Sequence, residues 1–271
     1  MTKLDPIVNQ LLEVYLTKQP TSFISETTQL TEKEAYLVQH FTVQKKTERF
    51  NEERVGYKIS MTSPETQAFF DADEPAYGTL TNGNLLPNKA TVKLSELNEP
   101  LLEVECMICL QQDISEEDSL QQIYEKVSFK PGIEIPDSRF QNWFPRFELM
   151  DLIADNGVTG HVLVPEEEYS KPSIEDVGQI HMTLSHEDQL ILEGNTSVVL
   201  NHPLHAVKWL AKKLTEQNLS LKEGMVLSSG SLHSPIPLKE GVFSNLLFVF
   251  LLFIVLIVGL SINIQKSILF P

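Results

Sequence analysis

The stretch that decides the fold runs from residue 101 to residue 110 and reads LLEVECMICL. Side chains on a β-strand alternate between the two faces of a sheet, so this run divides into two sets. One set is apolar throughout and consists of Leu102, Val104, Cys106, Ile108 and Leu110. The other set places Glu103 and Glu105 on the same face as Met107 and Cys109, which are residue types seldom left in water. The run therefore predicts a strand with two neighbouring glutamates on a partly buried face.

Two interpretations of Glu103 and Glu105 stay open on these residues alone. Like charges on a partly buried face repel each other unless a cation lies between them, which favours a divalent metal site. In the alternative, both glutamates face solvent on an edge strand. Glu134 lies in a second apolar run, GIEIP at 132–136, and a third carboxylate would complete one face of an octahedral Mg²⁺ or Mn²⁺ site. Glu134 taken alone is equally consistent with an exposed strand residue.

Lys58 lies in a further predicted strand, GYKISM at 56–61. Gly56 and Ser60 share its face, and small residues beside a lysine suit a ligand that approaches the backbone. Such a lysine would orient a bound carboxylate or move a proton, whereas an ordinary strand lysine is simply solvated. The Ser/Gly segment at 228–231 offers backbone amides that could hold a carboxylate.

The composition excludes several classes of protein. The chain has 271 residues, of which 42% are hydrophobic and 21% charged, as in an ordinary globular protein. Its 21 Lys and Arg against 37 Asp and Glu give a net charge of −16, which disfavours nucleic-acid binding because that requires a basic surface.

We interpret Cys106 and Cys109 as structural thiols on opposite faces of a strand. The missing disulfide framework, and an N-terminus without the apolar core of a signal peptide, predict a cytoplasmic protein.

The pattern along the chain predicts an α+β fold, with N-terminal helices in residues 1–50 and a β-rich catalytic domain in residues 51–241. Apolar spacing predicts a helix over 4–17, and the Thr31-x-x-Glu34 capping box begins a second helix. Short apolar segments separated by Pro and Gly then predict strands.

The C-terminal segment, residues 242–271, departs from this pattern. Residues 246–262 read LLFVFLLFIVLIVGLSI, without charge and slightly short of the roughly 20 residues of a spanning helix. One interpretation is a transmembrane helix that attaches the chain to a membrane through residues 242–262. Another is an altered C-terminus that removes the last strands and leaves their neighbours unpaired. A buried core helix is disfavoured because such a helix normally keeps a polar face.

Seven short segments follow one another in a specific order: GYKIxxTS (56–63), DEP (73–75), EVE (103–105), EIxDSR (134–139), ADN (154–156), HPLxAVxWLA (202–211) and SGSL (229–232). Together they resemble the 2-keto-4-pentenoate hydratase and 4-oxalocrotonate decarboxylase family, whose fold is fumarylacetoacetate hydrolase-like. The resemblance covers roughly residues 5–241, so the apolar tail lies outside it.

The resemblance implies a mixed-sheet body that holds Mg²⁺ or Mn²⁺ through Glu103, Glu105 and Glu134, with Lys58 as the catalytic residue beside the substrate. The resemblance also implies a homo-oligomeric assembly. On the backbone amides of the Ser/Gly segment, we predict substrate binding by Ser229, Gly230 and Ser231. The ligand would be a small 2-oxo or 2-hydroxydienoic acid. The implied reaction, part of aromatic-compound catabolism, hydrates 2-hydroxypenta-2,4-dienoate (2-keto-4-pentenoate) to 4-hydroxy-2-oxopentanoate, and decarboxylation of 4-oxalocrotonate is the alternative.

Two departures from the family pattern keep further alternatives open. Ala76 stands where the hydratases commonly have an aspartate, a candidate acid–base partner of the lysine, and Gly157-Val158 stands where they usually have Ala-Ser. Loss of these polar groups weakens the case for water addition, which needs a positioning base. It is compatible with a decarboxylase, with a non-catalytic metal-binding paralogue, or with a membrane-attached scaffold.

Overall fold

The computed structural model describes residues 3–251 and 254–265. Within these ranges the α-helices are α1 (Asp5–Thr17), α2 (Glu32–Phe50), α3 (Pro64–Phe69), α4 (Leu120–Glu125), α5 (Leu149–Ala154), α6 (Ile174–Val177) and α7 (Pro203–Thr215). The strands are β1 (Arg54–Ser60), β2 (Ala76–Thr81), β3 (Leu85–Leu86), β4 (Thr91–Lys93), β5 (Leu101–Leu110), β6 (Val127–Ile135), β7 (His161–Leu163), β8 (His181–His186), β9 (Gln189–Asn195), β10 (Val226–Ser231), β11 (Ile236–Pro237), β12 (Gly241–Leu251) and β13 (Ile254–Gln265). The elements confirm the predicted α+β class, with helices first and a mixed-sheet body after them.

The helix boundaries follow from local chemistry. α1 has a proline in its first turn, where the missing N–H is no loss, and α2 begins at the predicted capping box. In that box the Thr31 side chain accepts a hydrogen bond from the Glu34 N–H, and the Glu34 carboxylate accepts one from the Thr31 N–H at 3.0 Å. α7 also starts with proline and buries one apolar face, Leu204, Val207, Leu210 and Leu214 among its members.

The larger sheet positions the predicted site. Its strand order is β2-β1-β10-β5-β6-β7-β3, and β11 pairs with the end of β5. β5 lies between β10 and β6, so the edge-strand interpretation of its two glutamates is wrong. The apolar face of β5 packs into the main core, which joins buried residues of α1, α2 and α7 to those of the two sheets, whereas Met107 on the other face packs against Leu80 and Val162. Cys106 is buried, Cys109 is partly buried, and both are free thiols.

The apolar C-terminal run forms strands in a second sheet, of order β4-β13-β12-β8-β9. β12 and β13 pair antiparallel from Gly241↔Ile264 to Leu251↔Ile254, and β12 also pairs with β8. The structure thus has a paired hairpin where the sequence allowed a transmembrane helix or the loss of the last strands. The run is rich in valine, isoleucine and phenylalanine, which favour strands, and hydrophobicity alone does not distinguish a strand from a helix.

The predicted tail, 242–271, includes residues 252–253 and 266–271, which lie outside the described residues. Across the part of the chain that is described, no helix has both the length and the apolar character needed to cross a membrane.

Candidate metal centre

Three carboxylates meet on two neighbouring strands of the larger sheet. Glu103 and Glu105 share a face of β5 because they are two residues apart, and Glu134 on β6 is the direct partner of Glu103 in the antiparallel register. One carboxylate oxygen from each glutamate lies within 4.8 Å of the others. Glu105 and Glu134 are buried and Glu103 is partly buried. The arrangement matches the grouping predicted from the sequence.

Lys58 completes what we call the glutamate–lysine cluster: Lys58, Glu103, Glu105 and Glu134. Its Nζ lies 3.0 Å from Glu134 Oε1 and donates a hydrogen bond to Ser60 Oγ at 2.6 Å. In a flat sheet, three strand spacings of ~4.8 Å would separate β1 from β6. The side-chain contact therefore requires the sheet to curl around the site.

The neighbouring strand β10 orients one of the carboxylates. Ser228 Oγ donates to Glu105 Oε2 at 2.5 Å, and the Gly230 N–H donates to the same oxygen at 2.9 Å. A register shift in β10 between Ser228 and Ser231 turns the Gly230 amide toward Glu105. Hydrogen bonds of this kind hold a metal-ligating carboxylate in one orientation.

Three carboxylates share one ammonium in this cluster, so the cluster cannot neutralise all three in their ionised forms. Burial, and after it the charge of Glu134, raises the pKa of Glu103 to about 8 and raises the pKa of Glu105 well above its usual range. Burial alone would lower the pKa of Lys58, but Glu134 and the other two glutamates outweigh it, so the pKa is raised and the ammonium stays charged.

The residues fit a divalent cation. With all three carboxylates ionised, one lysine leaves two negative charges in a buried place. Both oxygens of Glu134 are buried and have no hydrogen-bond partner among the described residues, apart from the ionic contact with Lys58. Unsatisfied buried carboxylate oxygens are costly, and hard oxygen ligands are what Mg²⁺ and Mn²⁺ prefer.

A cavity of about 550 Å³ opens from the cluster. Lys58, Glu103 and Glu105 line its polar end, and residues from the 59–70, 143–152 and 231–235 segments line the rest. The three residues predicted to bind substrate take different positions. Ser231 lines the cavity, the Gly230 N–H is engaged by Glu105, and Ser229 Oγ is buried without a partner among the described residues.

Positions 76 and 157–158 lie beside the cluster. Ala76 is buried opposite Ser60 in the β1–β2 register, so it is on the same face as Lys58. A Cβ at Gly157 would lie 3.2 Å from Lys58 Cδ, which shows how closely the backbone approaches the lysine stem. Val158 lines the cavity with a φ of 51°, a backbone conformation that β-branched residues rarely adopt.

A second buried charged group lies outside the cavity, and we call Asp137, Ser138, Arg139 and Asp155 the arginine–aspartate cluster. Arg139 Nε donates to Asp155 Oδ1, and Ser138 Oγ donates to Asp155 Oδ2 at 2.7 Å. The remaining guanidinium donors reach backbone carbonyls, including that of Asp137 at 2.8 Å. Two of the family-like segments, EIxDSR and ADN, thus supply a fully hydrogen-bonded ion pair.

Sequence reasoning missed the aromatic part of the cavity lining. Five aromatic side chains form it, Phe69, Phe70, Trp143, Phe144 and Phe147, and we call them the aromatic wall. His233 also lines the cavity, with Nδ1 2.7 Å from the Ser234 carbonyl oxygen. The grouping of aromatics at 69–70 and 143–147 was a usable signal, but both groups lie in segments without clear strand or helix periodicity.

The chain is similar in sequence and in fold to known proteins. The chain is 32% identical to the 2-hydroxyhexa-2,4-dienoate hydratase of Comamonas testosteroni over 201 residues, which is 72% of this chain and 74% of that protein. It is 29% identical to a 2-keto-4-pentenoate hydratase of Paraburkholderia xenovorans over 77% of both proteins. Its fold resembles the 4-oxalocrotonate decarboxylase of Pseudomonas putida G7, solved with magnesium and adipate, at a TM-score of 0.84 and 20% identity over 98% of this chain and 99% of that one. No protein-family model matches the chain.

Proposed function

The chain belongs to the 2-keto-4-pentenoate hydratase and 4-oxalocrotonate decarboxylase family, and on that premise we propose that it hydrates 2-hydroxypenta-2,4-dienoate to 4-hydroxy-2-oxopentanoate. It is an enzyme of the lyase class. The observation that carries the proposal is the glutamate–lysine cluster at the polar end of a cavity that is otherwise mainly apolar. Such a site suits a small acid that has one charged end.

Glu103, Glu105 and Glu134 would hold Mg²⁺ or Mn²⁺. A divalent ion bound there supplies Lewis-acid stabilisation for negative charge that develops on the substrate. Ser228 and Gly230 keep the Glu105 carboxylate oriented, so part of the ligand set is preorganised by the fold. Apart from the ionic contact of Oε1 with Lys58, the Glu134 carboxylate has no hydrogen-bond partner among the described residues, which suits a metal ligand.

Lys58 has two tasks in this proposal. Its ammonium attracts the substrate carboxylate to the polar end of the cavity, and its Nζ proton is available to the diene. The three glutamates raise the pKa of Lys58, so the amine holds that proton at neutral pH. Lys58, Glu105 and Glu134 are buried from bulk water, which strengthens each of these charge interactions. Ser231, at the cavity wall, remains our candidate for a substrate hydrogen bond.

The test is an ultraviolet assay of the purified chain with Mn²⁺ or Mg²⁺. Loss of the absorbance of 2-hydroxypenta-2,4-dienoate is the expected result. Turnover of 4-oxalocrotonate alone, with release of CO₂, would replace the hydratase by a decarboxylase, which Ala76 and Val158 make the second candidate. If folded protein that binds the metal turns over neither substrate, the chain is a non-catalytic paralogue.

A lysine variant tests the catalytic assignment within the same assay. Lys58→Met in metal-saturated protein is expected to lower kcat/KM by about 100-fold, because a positioned proton donor and carboxylate partner is lost. Lys222→Met, at a half-exposed lysine paired with Asp113 outside the cavity, is the control and should retain full activity. Equal activity of the two variants would remove Lys58 from the mechanism.

Two further expectations remain proposals. We infer a homo-oligomer in the cytoplasm from family membership, and analytical ultracentrifugation of the full chain would measure its size. Attachment to a membrane through residues 242–262 finds no support, because the described residues of that segment are paired in strands.

A further inference from the structure

Part of the cavity lining is a continuous aromatic surface. In the aromatic wall, ring centroids lie 4.8 Å apart for Phe69 and Phe70, and 5.2 Å apart for Phe70 and Phe147. Trp143 continues the series at 5.1 Å from Phe147 and 5.7 Å from Phe144. Rings at these separations support one another, so the wall is a preformed surface rather than a set of independent side chains.

The wall presents hydrocarbon and no hydrogen-bonding group. The Trp143 indole N–H donates to the Glu99 carbonyl at 2.9 Å, so its polar atom is already engaged. Phe69 is 53% exposed and Phe144 is 47% exposed, although both are large apolar side chains. Covering them with an apolar group would remove that surface from water, which is favourable.

No cation accompanies the wall. Among the described residues that line the cavity, Lys58 is the one lysine or arginine, and it is already engaged by Glu134 and Ser60. Burial lowers the pKa of His233, so this ring is neutral at ordinary pH. Glu65 adds a negative charge to the lining. A carboxylate placed against the wall would therefore meet no cation in the lining to offset the loss of part of its hydration.

We propose that the substrate is a monocarboxylic 2-hydroxydienoate whose end remote from the carboxylate is an apolar alkyl or aryl group seated on the aromatic wall. Dicarboxylic dienoates, which carry a second charge at that end, are selected against. This inference rests on the proposed function for the position of the acid end beside Lys58. The cavity volume of about 550 Å³ leaves room for a group larger than the vinyl end of a pentadienoate.

Two substrates that differ only at the remote end provide the test. With the wild-type chain, kcat/KM for 2-hydroxyhepta-2,4-dienoate is expected to exceed that for 2-hydroxyhepta-2,4-diene-1,7-dioate by at least about tenfold. Equal values, or a preference for the dicarboxylate, would overturn the inference while leaving the hydratase assignment intact.

A positive charge introduced at the wall should remove most of the preference for the monocarboxylate. Phe69→Lys changes a half-exposed residue, so the fold should tolerate it, and it gives the second carboxylate a partner. The ratio of the two kcat/KM values is expected to fall by about tenfold. Phe41→Lys is the matched control, because Phe41 is 38% exposed on α2 and is not part of the cavity lining. An equal change of this ratio in both variants would contradict the assignment of the remote substrate end to the aromatic wall.

Binding separates this inference from the proposed reaction. Titration calorimetry in Mn²⁺ would compare the saturated acids 2-oxoheptanoate and 2-oxoheptanedioate, which cannot be hydrated. Tighter binding of 2-oxoheptanoate, by about tenfold, is expected even if no dienoate turns over, and in that case only the hydratase proposal fails. Tighter binding of the diacid, or no binding of either acid, would overturn the inference.

Discussion

The glutamate–lysine cluster and the arginine–aspartate cluster are both buried and charged, yet they are built differently. In the second, the Asp155 carboxylate accepts hydrogen bonds from Ser138 and Arg139, and the guanidinium donates to backbone carbonyls. In the first, three carboxylates face one ammonium, and neither oxygen of Glu134 has a hydrogen-bond partner among the described residues. A cluster that satisfies itself stabilises the fold, whereas one with unmatched charge is suited to a ligand.

The largest effect on stability should come from disrupting the arginine–aspartate cluster, whose charged groups are paired within the cluster. Arg139→Met leaves Asp155 buried without its partner and is expected to lower the free energy of unfolding by about 3–5 kcal/mol. Arg146→Met, at an exposed arginine, serves as the control and should cost less than about 1 kcal/mol. Urea denaturation measures both, and similar losses would mean that Asp155 does not depend on the ion pair.

The glutamate–lysine cluster should make the metal-free protein less stable as the pH rises. Burial raises the pKa of Glu103 to about 8 and that of Glu105 in the same direction, so the folded state binds more protons than the unfolded state. This contribution to the free energy of unfolding is fully present below the ordinary carboxyl pKa and is lost as the pH rises toward 8, at up to about 1.4 kcal/mol per pH unit for each glutamate.

Denaturation between pH 5 and pH 8, with and without saturating Mn²⁺, measures this loss. Burial also raises the pKa of Asp137, to about 6, and that of Asp155, so part of the slope arises outside the site. That part persists when metal is bound, and the difference between the two curves isolates the glutamates. If stability falls with pH at the same slope with and without Mn²⁺, metal binding does not change the protonation of the glutamates.

Metal should stabilise the protein through the three glutamates. At a free Mn²⁺ concentration of 100 times Kd, the free energy of unfolding is expected to rise by ~2.7 kcal/mol. Glu103→Gln with Glu105→Gln removes two ligands and should abolish the rise. The control Glu65→Gln, which changes an exposed glutamate of the same cavity, should retain it. Stoichiometric binding to the double variant would refute the site.

The smallest expected effect concerns the aspartate that family hydratases have at position 76. Ala76→Asp places a carboxylate on the Lys58 face of the sheet and should raise the hydration rate by about tenfold if a missing acid–base partner limits it. Ala76→Asn has nearly the same shape without the base and is the comparison. Equal rates for the two variants would show that the reaction does not need a base there.

Much of the site was readable from the sequence because strand periodicity is local. Alternation along residues 101–110 was enough to place Glu103 and Glu105 on one face, and the structure confirms β5 with the same bounds. The local sequence around Glu134 and Lys58 marked both as candidates, and the resemblance to the family then grouped them with the two glutamates. Local sequence contains nothing about the direct pairing of Glu103 with Glu134, since register depends on which strands become neighbours.

The C-terminal run shows that composition alone does not decide between a helix and a strand. Its hydrophobicity is compatible with a membrane helix and with a strand, and the outcome depends on whether a partner edge is present. β8 supplies that edge to β12, and β4 supplies another to β13. Backbone pairing of this kind is a property of the folded sheet, so the sequence left two interpretations open.

By itself, the sequence determined the fold class, the helix starts, the strand faces and the residue types of a divalent metal site, because these depend on neighbours within a few positions. Only the tertiary structure decided that Lys58 reaches Glu134 across a curled sheet, that Arg139 and Asp155 neutralise each other, and that aromatic residues from two distant segments form one wall. These features join residues far apart in the chain, and their geometry is set by packing rather than by any local pattern.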